Sequence, residues 1–189
     1  MILPFLVCLF ILIVVHELSH FLAARLVGCD VETVSIGFWK PILWSKKIGK
    51  TTYQLTPWLI GGYCKLKGEL EYTQEKNTFS NLRYMQKVIL VSAGCAANII
   101  VGIMGIIVGR MLDNYNIFLF GYLGLALGIG NMIPFPALDG SYLWLFGLEK
   151  IYGKQKAYPI MQKIVQWGFI IIMALNFACI PYFIQMMRG

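Results

Sequence analysis

The sequence predicts an α-helical integral membrane protein with about four transmembrane helices. It also predicts a small interfacial β-sheet on the cytoplasmic side, between helices 1 and 2. Of the 189 residues, 58% are hydrophobic and only 13% are charged, which lies outside the usual range of soluble globular proteins. The apolar residues also gather in stretches close to the roughly 20 residues with which a helix crosses the hydrocarbon layer.

The four predicted spans occupy about residues 2–24, 88–108, 117–133 and 164–184. The first span lacks a basic segment before it and carries several ionisable residues, so we expect it to be retained rather than cleaved as a signal peptide. The third is rich in glycine and is followed by an L-D-G turn at residues 138–140. We expect the spans to form a single membrane-embedded domain over residues 1–189.

Residues 31–69 differ from the apolar spans in their residue pattern, and this pattern predicts the sheet. V-E-T-V-S-I-G-F alternates in part between apolar and polar residues, and K-K-I-G-K-T-T-Y-Q-L places a turn signal between two strand-like runs. Aromatic residues are mixed with lysines here, as is typical of the membrane–water interface. Because the edge of a sheet cannot face lipid, we expect this sheet to touch protein or water.

The basic residues predict the orientation in the membrane. Ten of the 16 lysines and arginines lie between Arg25 and Lys87, and four more lie between residues 141 and 163. The positive-inside rule then puts both termini outside the cytoplasm. The net charge of +7 could also suggest nucleic acid, but no polar basic domain carries it. Contact with the lipid bilayer is therefore favoured, and no nucleic-acid partner is expected.

The first predicted span contains the motif H-E-L-S-H, from His16 to His20. Residues four apart share one face of a helix, so His16 and His20 can present two ring nitrogens to one cation, with Glu17 beside them. H-E-x-x-H is the pattern of zinc hydrolases, in which the histidines bind the metal and the glutamate is the general base. A polar cluster that only joins helices is the alternative, but ionisable groups inside a membrane are usually functional.

Catalytic zinc usually has a third protein ligand, and the chain has no further histidine. Asp139 follows the third span on the cytoplasmic side, which matches the depth of the histidine pair. It lies in an apolar frame, where a carboxylate without a partner would be costly. A helix cap is the alternative role for Asp139, and Cys95 is the best cysteine candidate for the third ligand.

These motifs together resemble a known family. H-E-L-S-H, combined with N-M-I-P-F-P-A-L-D-G after the third span, is similar to the site-2 protease family of intramembrane zinc metalloproteases. The segments V-S-I-G-F, G-G-Y-C-K-L-K-G-E and S-A-G-C-A-A-N resemble the bacterial branch that includes the regulator-of-sigma-E protease. The chain departs from that branch because the connection R-M-L-D-N-Y-N is too short to hold the PDZ domains expected there.

The resemblance implies one Zn²⁺ held by His16, His20 and Asp139, with Glu17 as the catalytic acid and base. It also implies that Asn98 and Asn131 lie near a substrate. The expected activity is cleavage of a transmembrane segment of a membrane protein, or of a remnant signal peptide. The expected location is the cytoplasmic membrane of a bacterium, as a multi-pass protein.

Two other classes of function stay open. One is a membrane protein that binds or transports a metal, and the other is a non-catalytic membrane scaffold of the same fold. Transport would favour several polar ligands along a path, yet the sequence shows one cluster. Neither class requires Glu17, because binding a metal alone does not need a general base.

Overall fold

The computed structural model describes the backbone of residues 2–38, 40–136 and 138–188. Within these residues, five α-helices and four strands follow one another, and the chain divides into two compact units, residues 1–132 and 133–189. The first unit contains α1 (Ile2–Val27), β1 (Val31–Phe38), β2 (Trp44–Ile48), β3 (Thr51–Leu55), β4 (Trp58–Leu66), α2 (Tyr84–Met111) and α3 (Tyr115–Asn131). The second contains α4 (Tyr142–Tyr152) and α5 (Lys154–Arg188).

Two helices among the described residues are long and apolar enough to cross a membrane. They are Leu3–Val27 and Tyr84–Met111, with mean hydropathies of 2.3 and 2.2. Only 22% and 28% of their most apolar windows are buried within the protein, so lipid is the solvent that suits the remaining surface. The helical class and the small sheet are confirmed, whereas the number of four spans stays a prediction.

α2 and α3 approach each other closely because glycines line their contact. An ideal Cβ on Gly121 would lie 2.2 Å from the backbone nitrogen of Ile106, and one on Gly105 would lie 2.7 Å from the Cα of Gly121. No side chain fits at such distances. Glycine is common where helices meet in membranes, since packing and not the hydrophobic effect holds them together there.

The sheet has the strand order β2-β3-β1-β4. β3 is parallel to β1 and antiparallel to β2, and β4 is antiparallel to β1. Gly49, with a φ of 61°, makes the turn between β2 and β3 that I-G-K predicts. β2 and β4 are the two edge strands; β2 is exposed along its length, and β4 packs against α1.

In the second unit, a series of tight turns leads to Asp139. The backbone N–H of Leu138 donates to the carbonyl of Phe135 over 3.1 Å, and that of Ser141 donates to Leu138 over 2.9 Å. The 3-10 turn Asp139–Ser141 follows, and α4 begins directly after it. The predicted L-D-G turn is therefore a short helical turn with Asp139 at its start.

α4 and α5 hold the backbone of these turns. The indole N–H of Trp144 donates to the carbonyl of Pro134 over 2.9 Å. An ideal Cβ on Gly168 would lie 2.1 Å from the Cβ of Pro136, so α5 can pack here only with a glycine at this position. The loop that carries Asp139 is thus fixed from two helices of its own unit.

Candidate metal centre

The two histidines of the chain face each other on α1. His16 and His20 are 7% and 8% exposed, and their rings meet edge to face with centroids 4.7 Å apart. The Nε2 atoms of the two rings are 3.2 Å apart. The four-residue spacing therefore brings the two nitrogens together, as the helical periodicity predicts.

α2 supplies the partners of both rings from one face. The Nδ1 atom of His20 lies 2.9 Å from the carbonyl oxygen of Leu90, and the Nδ1 atom of His16 lies 3.3 Å from Nδ2 of Asn98. Leu90 and Asn98 are eight residues apart, with Gly94 between them, so all three follow one stripe of the helix. His20 therefore has its partner at Leu90, and His16 has its partner two helical turns further along α2, at Asn98.

The carbonyl of Leu90 fixes the tautomer of His20. A carbonyl oxygen only accepts hydrogen bonds, so Nδ1 of His20 carries a hydrogen, and in the neutral ring the lone pair is then on Nε2. A ring that donates from one nitrogen to a carbonyl and binds a metal with the other is the usual arrangement of metal-bound histidine. His20 is thus oriented to bind through Nε2.

Gly94 provides the space in which the two rings meet α2. An ideal Cβ at this position would lie 2.4 Å from Nε2 of His20 and 2.7 Å from Nε2 of His16. No side chain fits there. The sequence motif S-A-G-C-A-A-N contains this glycine, but nothing in the motif alone reveals its role. Its place midway between Leu90 and Asn98 is the signal that could have done so.

Glu17 lies beside the edge strand β4. Its Cγ atom is 3.1 Å from an ideal Cβ on Gly62, which would also lie 2.8 Å from the backbone oxygen of Ser35. Burial raises the pKa of the nearby Cys64 thiol, and the charges of Glu17 and Glu69 raise it further. The backbone of β4 therefore passes close to the candidate general base, and the lack of a side chain at Gly62 allows it.

Asp139 is half-buried at the start of its 3-10 turn. The two histidine nitrogens lie together on α1, and Asp139 stays the predicted third ligand. Two imidazoles and one carboxylate form the kind of ligand set that catalytic zinc sites use while they keep a fourth position open.

The two asparagines named from the resemblance differ in their surroundings. Asn98 is 1% exposed and lies against His16. Asn131 is the last residue of α3 and is half-buried. Contact of either residue with a substrate stays a prediction.

The chain matches the model of one protein family. The family is described as "Peptidase family M50", and the match covers residues 4–118 and 112–175. The matched residues include both histidines, Glu17 and Asp139.

Several bacterial relatives are named as zinc metalloproteases. One from Campylobacter jejuni is 36% identical over 129 residues, which cover 65% of this chain and 32% of the relative. One from Borreliella burgdorferi is 39% identical over 99 residues, 47% of this chain and 23% of the relative. One from Helicobacter pylori is 46% identical over 78 residues, 40% of this chain and 22% of the relative. The chain thus matches about a third or less of the length of these relatives.

A solved structure shares the fold. It is the site-2 protease from Methanocaldococcus jannaschii, with a TM-score of 0.58 and 22% sequence identity. The similarity covers 91% of this chain and 66% of that one.

Proposed function

The chain belongs to peptidase family M50, and on this premise we propose that it is an intramembrane zinc endopeptidase. The proposed reaction is hydrolysis of a peptide bond in a transmembrane segment of a membrane protein, or in a remnant signal peptide. The geometry of the histidine pair is the main support for this proposal. The two Nε2 atoms are 3.2 Å apart, and the Nδ1 atom of each ring contacts a residue of α2.

The residues fit a zinc ion. Two nitrogens that each lie ~2.0–2.1 Å from a tetrahedral zinc are separated by about 3.3 Å, which is close to the observed distance between the Nε2 atoms. The carboxylate of Asp139 is of the type that completes such a ligand set. We therefore propose one Zn²⁺ held by His16, His20 and Asp139.

Glu17 carries the proton chemistry in this proposal. A bound zinc ion supplies Lewis acidity, which activates water and polarises the carbonyl of the scissile bond. Glu17 follows His16 directly on α1, so its carboxylate can accept a proton from the attacking water and return it to the leaving amine nitrogen. The position of Glu17 beside β4 supports this role, because an extended peptide that paired with this strand would lie near the carboxylate.

We propose that the substrate binds along the free edge of β4. A transmembrane helix keeps its carbonyls in its own hydrogen bonds, so it must be locally unwound before hydrolysis. Within the sheet of described residues, β4 pairs only with β1 and is the edge strand nearer Glu17. An unwound segment that paired with β4 would satisfy its backbone groups by strand addition.

We also propose that α1, α2, α3 and α5 cross the cytoplasmic membrane of a bacterium, with both termini outside the cytoplasm. The length and hydropathy of α1 and α2 support two of these spans. α3 has 17 residues and α5 has 35, which at ~1.5 Å per residue gives lengths of about 25 and 50 Å. The basic residues of the first connection support the orientation.

The test of the function compares the wild-type chain with Glu17→Gln in the membranes of a producing cell. Glutamine keeps the shape of the side chain but cannot act as the base, so we expect cleavage to fall ~10²–10⁴-fold. Quantitative proteomics should then show a single-span membrane protein that accumulates, while the purified variant keeps its metal.

The same comparison separates the other classes of function. A metal transporter or a scaffold would work with either residue at position 17. Equal membrane proteomes and equal cleavage of added substrates by the two forms would therefore contradict the proposed peptidase.

A further inference from the structure

Asn98 is an unusual residue for the middle of an apolar helix. Its side chain is 1% exposed, and its amide group lies against the ring of His16. Its Oδ1 atom is buried and has no hydrogen-bond partner. A buried amide oxygen without a donor costs free energy, so this orientation of the amide leaves its strongest acceptor unused.

A metal ion bound to His16 would make Nδ1 of that ring a hydrogen-bond donor that requires an acceptor. A histidine that binds a metal through Nε2 gives up its lone pair there, and its hydrogen is then on Nδ1. The Nδ2 atom of Asn98 lies 3.3 Å from this Nδ1 atom. Both would be donors, so this pair could not form a hydrogen bond in the metal-bound protein.

We propose that Asn98 is a positioning residue for His16, and that in the metal-bound protein its amide oxygen, and not its NH₂ group, faces Nδ1. Half a rotation of the amide exchanges the two groups in nearly the same volume. The oxygen then accepts the hydrogen of Nδ1, as the carbonyl of Leu90 does for His20. This inference rests on the proposed function, because it requires a metal at His16.

An acceptor behind the ring has two consequences. It fixes the orientation of the imidazole, and it makes Nε2 a stronger ligand. Loss of such a partner typically lowers metal affinity ~10–100-fold. In this proposal, α2 therefore orients both ligands from one stripe, His20 with a main-chain oxygen and His16 with a side-chain oxygen.

Two substitutions test the direction of the hydrogen bond. Aspartate at position 98 can only accept, so Asn98→Asp should keep about the wild-type affinity for Zn²⁺. Leucine has a similar shape but no polar atom, so Asn98→Leu should bind Zn²⁺ ~10–100-fold more weakly. The measurement is competition with a chromophoric chelator, on the full chain in detergent.

Ser92→Ala is the matched control. It removes a hydroxyl group from the exposed side of α2 that bonds only to carbonyls within the same helix. It should leave the affinity unchanged. Equal affinity of Asn98→Leu and the wild type, or an Asn98→Asp variant as weak as Asn98→Leu, would overturn the role of Asn98.

A spectroscopic measurement on the zinc-loaded protein reports directly which ring nitrogens carry hydrogen. The chain has two histidines, so labelling histidine with ¹⁵N produces only four imidazole nitrogen resonances. In the zinc-loaded protein both rings should carry their hydrogen on Nδ1, and the Nδ1 resonance of one ring should shift in Asn98→Asp. A hydrogen on Nε2 of His16 in that sample would refute the inference.

The outcomes also distinguish this inference from the function on which it rests. A wild-type chain that binds no metal contradicts the proposed zinc site itself. A wild-type chain that binds Zn²⁺ while Asn98→Leu binds it equally well contradicts only the role of Asn98.

Discussion

Each imidazole of the histidine pair has a partner on α2, which in our proposal decides the nitrogen that binds the metal. The carbonyl of Leu90 fixes His20, and Asn98 lies behind His16. Gly94, between them, leaves the space that both Nε2 atoms occupy. The metal site therefore depends on residues that bind no metal themselves.

Gly94→Ala should damage the metal site directly. The added Cβ would lie 2.4 Å from Nε2 of His20, so the rings must move apart or α2 must shift. We expect the affinity for Zn²⁺ to fall at least ~10-fold, by the same reasoning that applies to lost orienting partners. Chelator competition on the purified chain measures this.

Gly147→Ala is the control for that substitution. It lies in α4, and nothing lies within 4 Å of its ideal Cβ. It should keep the wild-type affinity. If Gly94→Ala bound zinc as tightly as Gly147→Ala, the assignment of the metal to the two Nε2 atoms would be wrong.

At this scale the sequence predicts which side chains would carry the chemistry, and their roles stay predictions. His16, Glu17, His20 and Asp139 are recognisable because their side-chain types and spacing are specific to one kind of site. Leu90, Gly94 and Gly62 were not predicted. Leu90 contributes a main-chain oxygen, which every residue type has. Gly94 and Gly62 contribute the absence of a side chain, and the chain has many other glycines. Their roles also depend on helix and strand contacts between distant parts of the chain.

At the scale of elements, the approach of β4 to α1 brings the sheet to Glu17, the proposed general base. Gly62→Ala should disturb that approach, because its Cβ would lie 2.8 Å from the backbone oxygen of Ser35 and 3.1 Å from Cγ of Glu17. We expect a lower rate of cleavage with metal content unchanged. Gly62 lies near Glu17, whereas both histidines contact α2. Rate measurements on a membrane substrate, with zinc analysis of the same samples, test this.

If Gly62→Ala cleaved at the wild-type rate, β4 would not be the strand that presents the substrate. Proline substitutions across residues 61–66 provide a second test of strand addition. They should lower cleavage and leave zinc bound, because a proline cannot donate to a neighbouring strand.

The packing of α2 against α3 gives another prediction for these elements. An ideal Cβ on Gly121 would lie 2.2 Å from the nitrogen of Ile106, a backbone atom that cannot move aside alone. Gly121→Ala should therefore destabilise the protein by about 1–3 kcal/mol or more. Gly130→Ala, on the same helix with nothing within 4 Å, should not. Thermal unfolding in detergent compares the two, and equal stability would contradict the close helix contact.

The elements themselves were largely predictable, because long apolar stretches and alternating segments are visible in the sequence. α1 and α2 extend beyond the predicted spans at residues 2–24 and 88–108, since a helix can continue after the hydrophobic layer ends. The strand order was not predictable. It depends on β1 pairing with both β3 and β4, and no local pattern encodes such a pairing.

At the scale of the whole molecule, the orientation in the membrane decides from which side water and substrate arrive. A reporter enzyme that is active only outside the cytoplasm should be active when inserted at Asp113, between α2 and α3. The same reporter should be inactive when inserted at Gly49, in the sheet. The opposite pattern would invert the orientation that the lysines and arginines predict.

The central claim is that His16, His20 and Asp139 together hold one zinc ion. Its most direct test is the metal content of the full chain, purified in detergent without chelators, beside that of Asp139→Ala. We expect about one zinc per wild-type chain, and a large loss of both zinc and peptide-bond cleavage in the variant. A wild-type protein that contains no metal, or an Asp139→Ala variant that retains both its zinc and its activity, would contradict it.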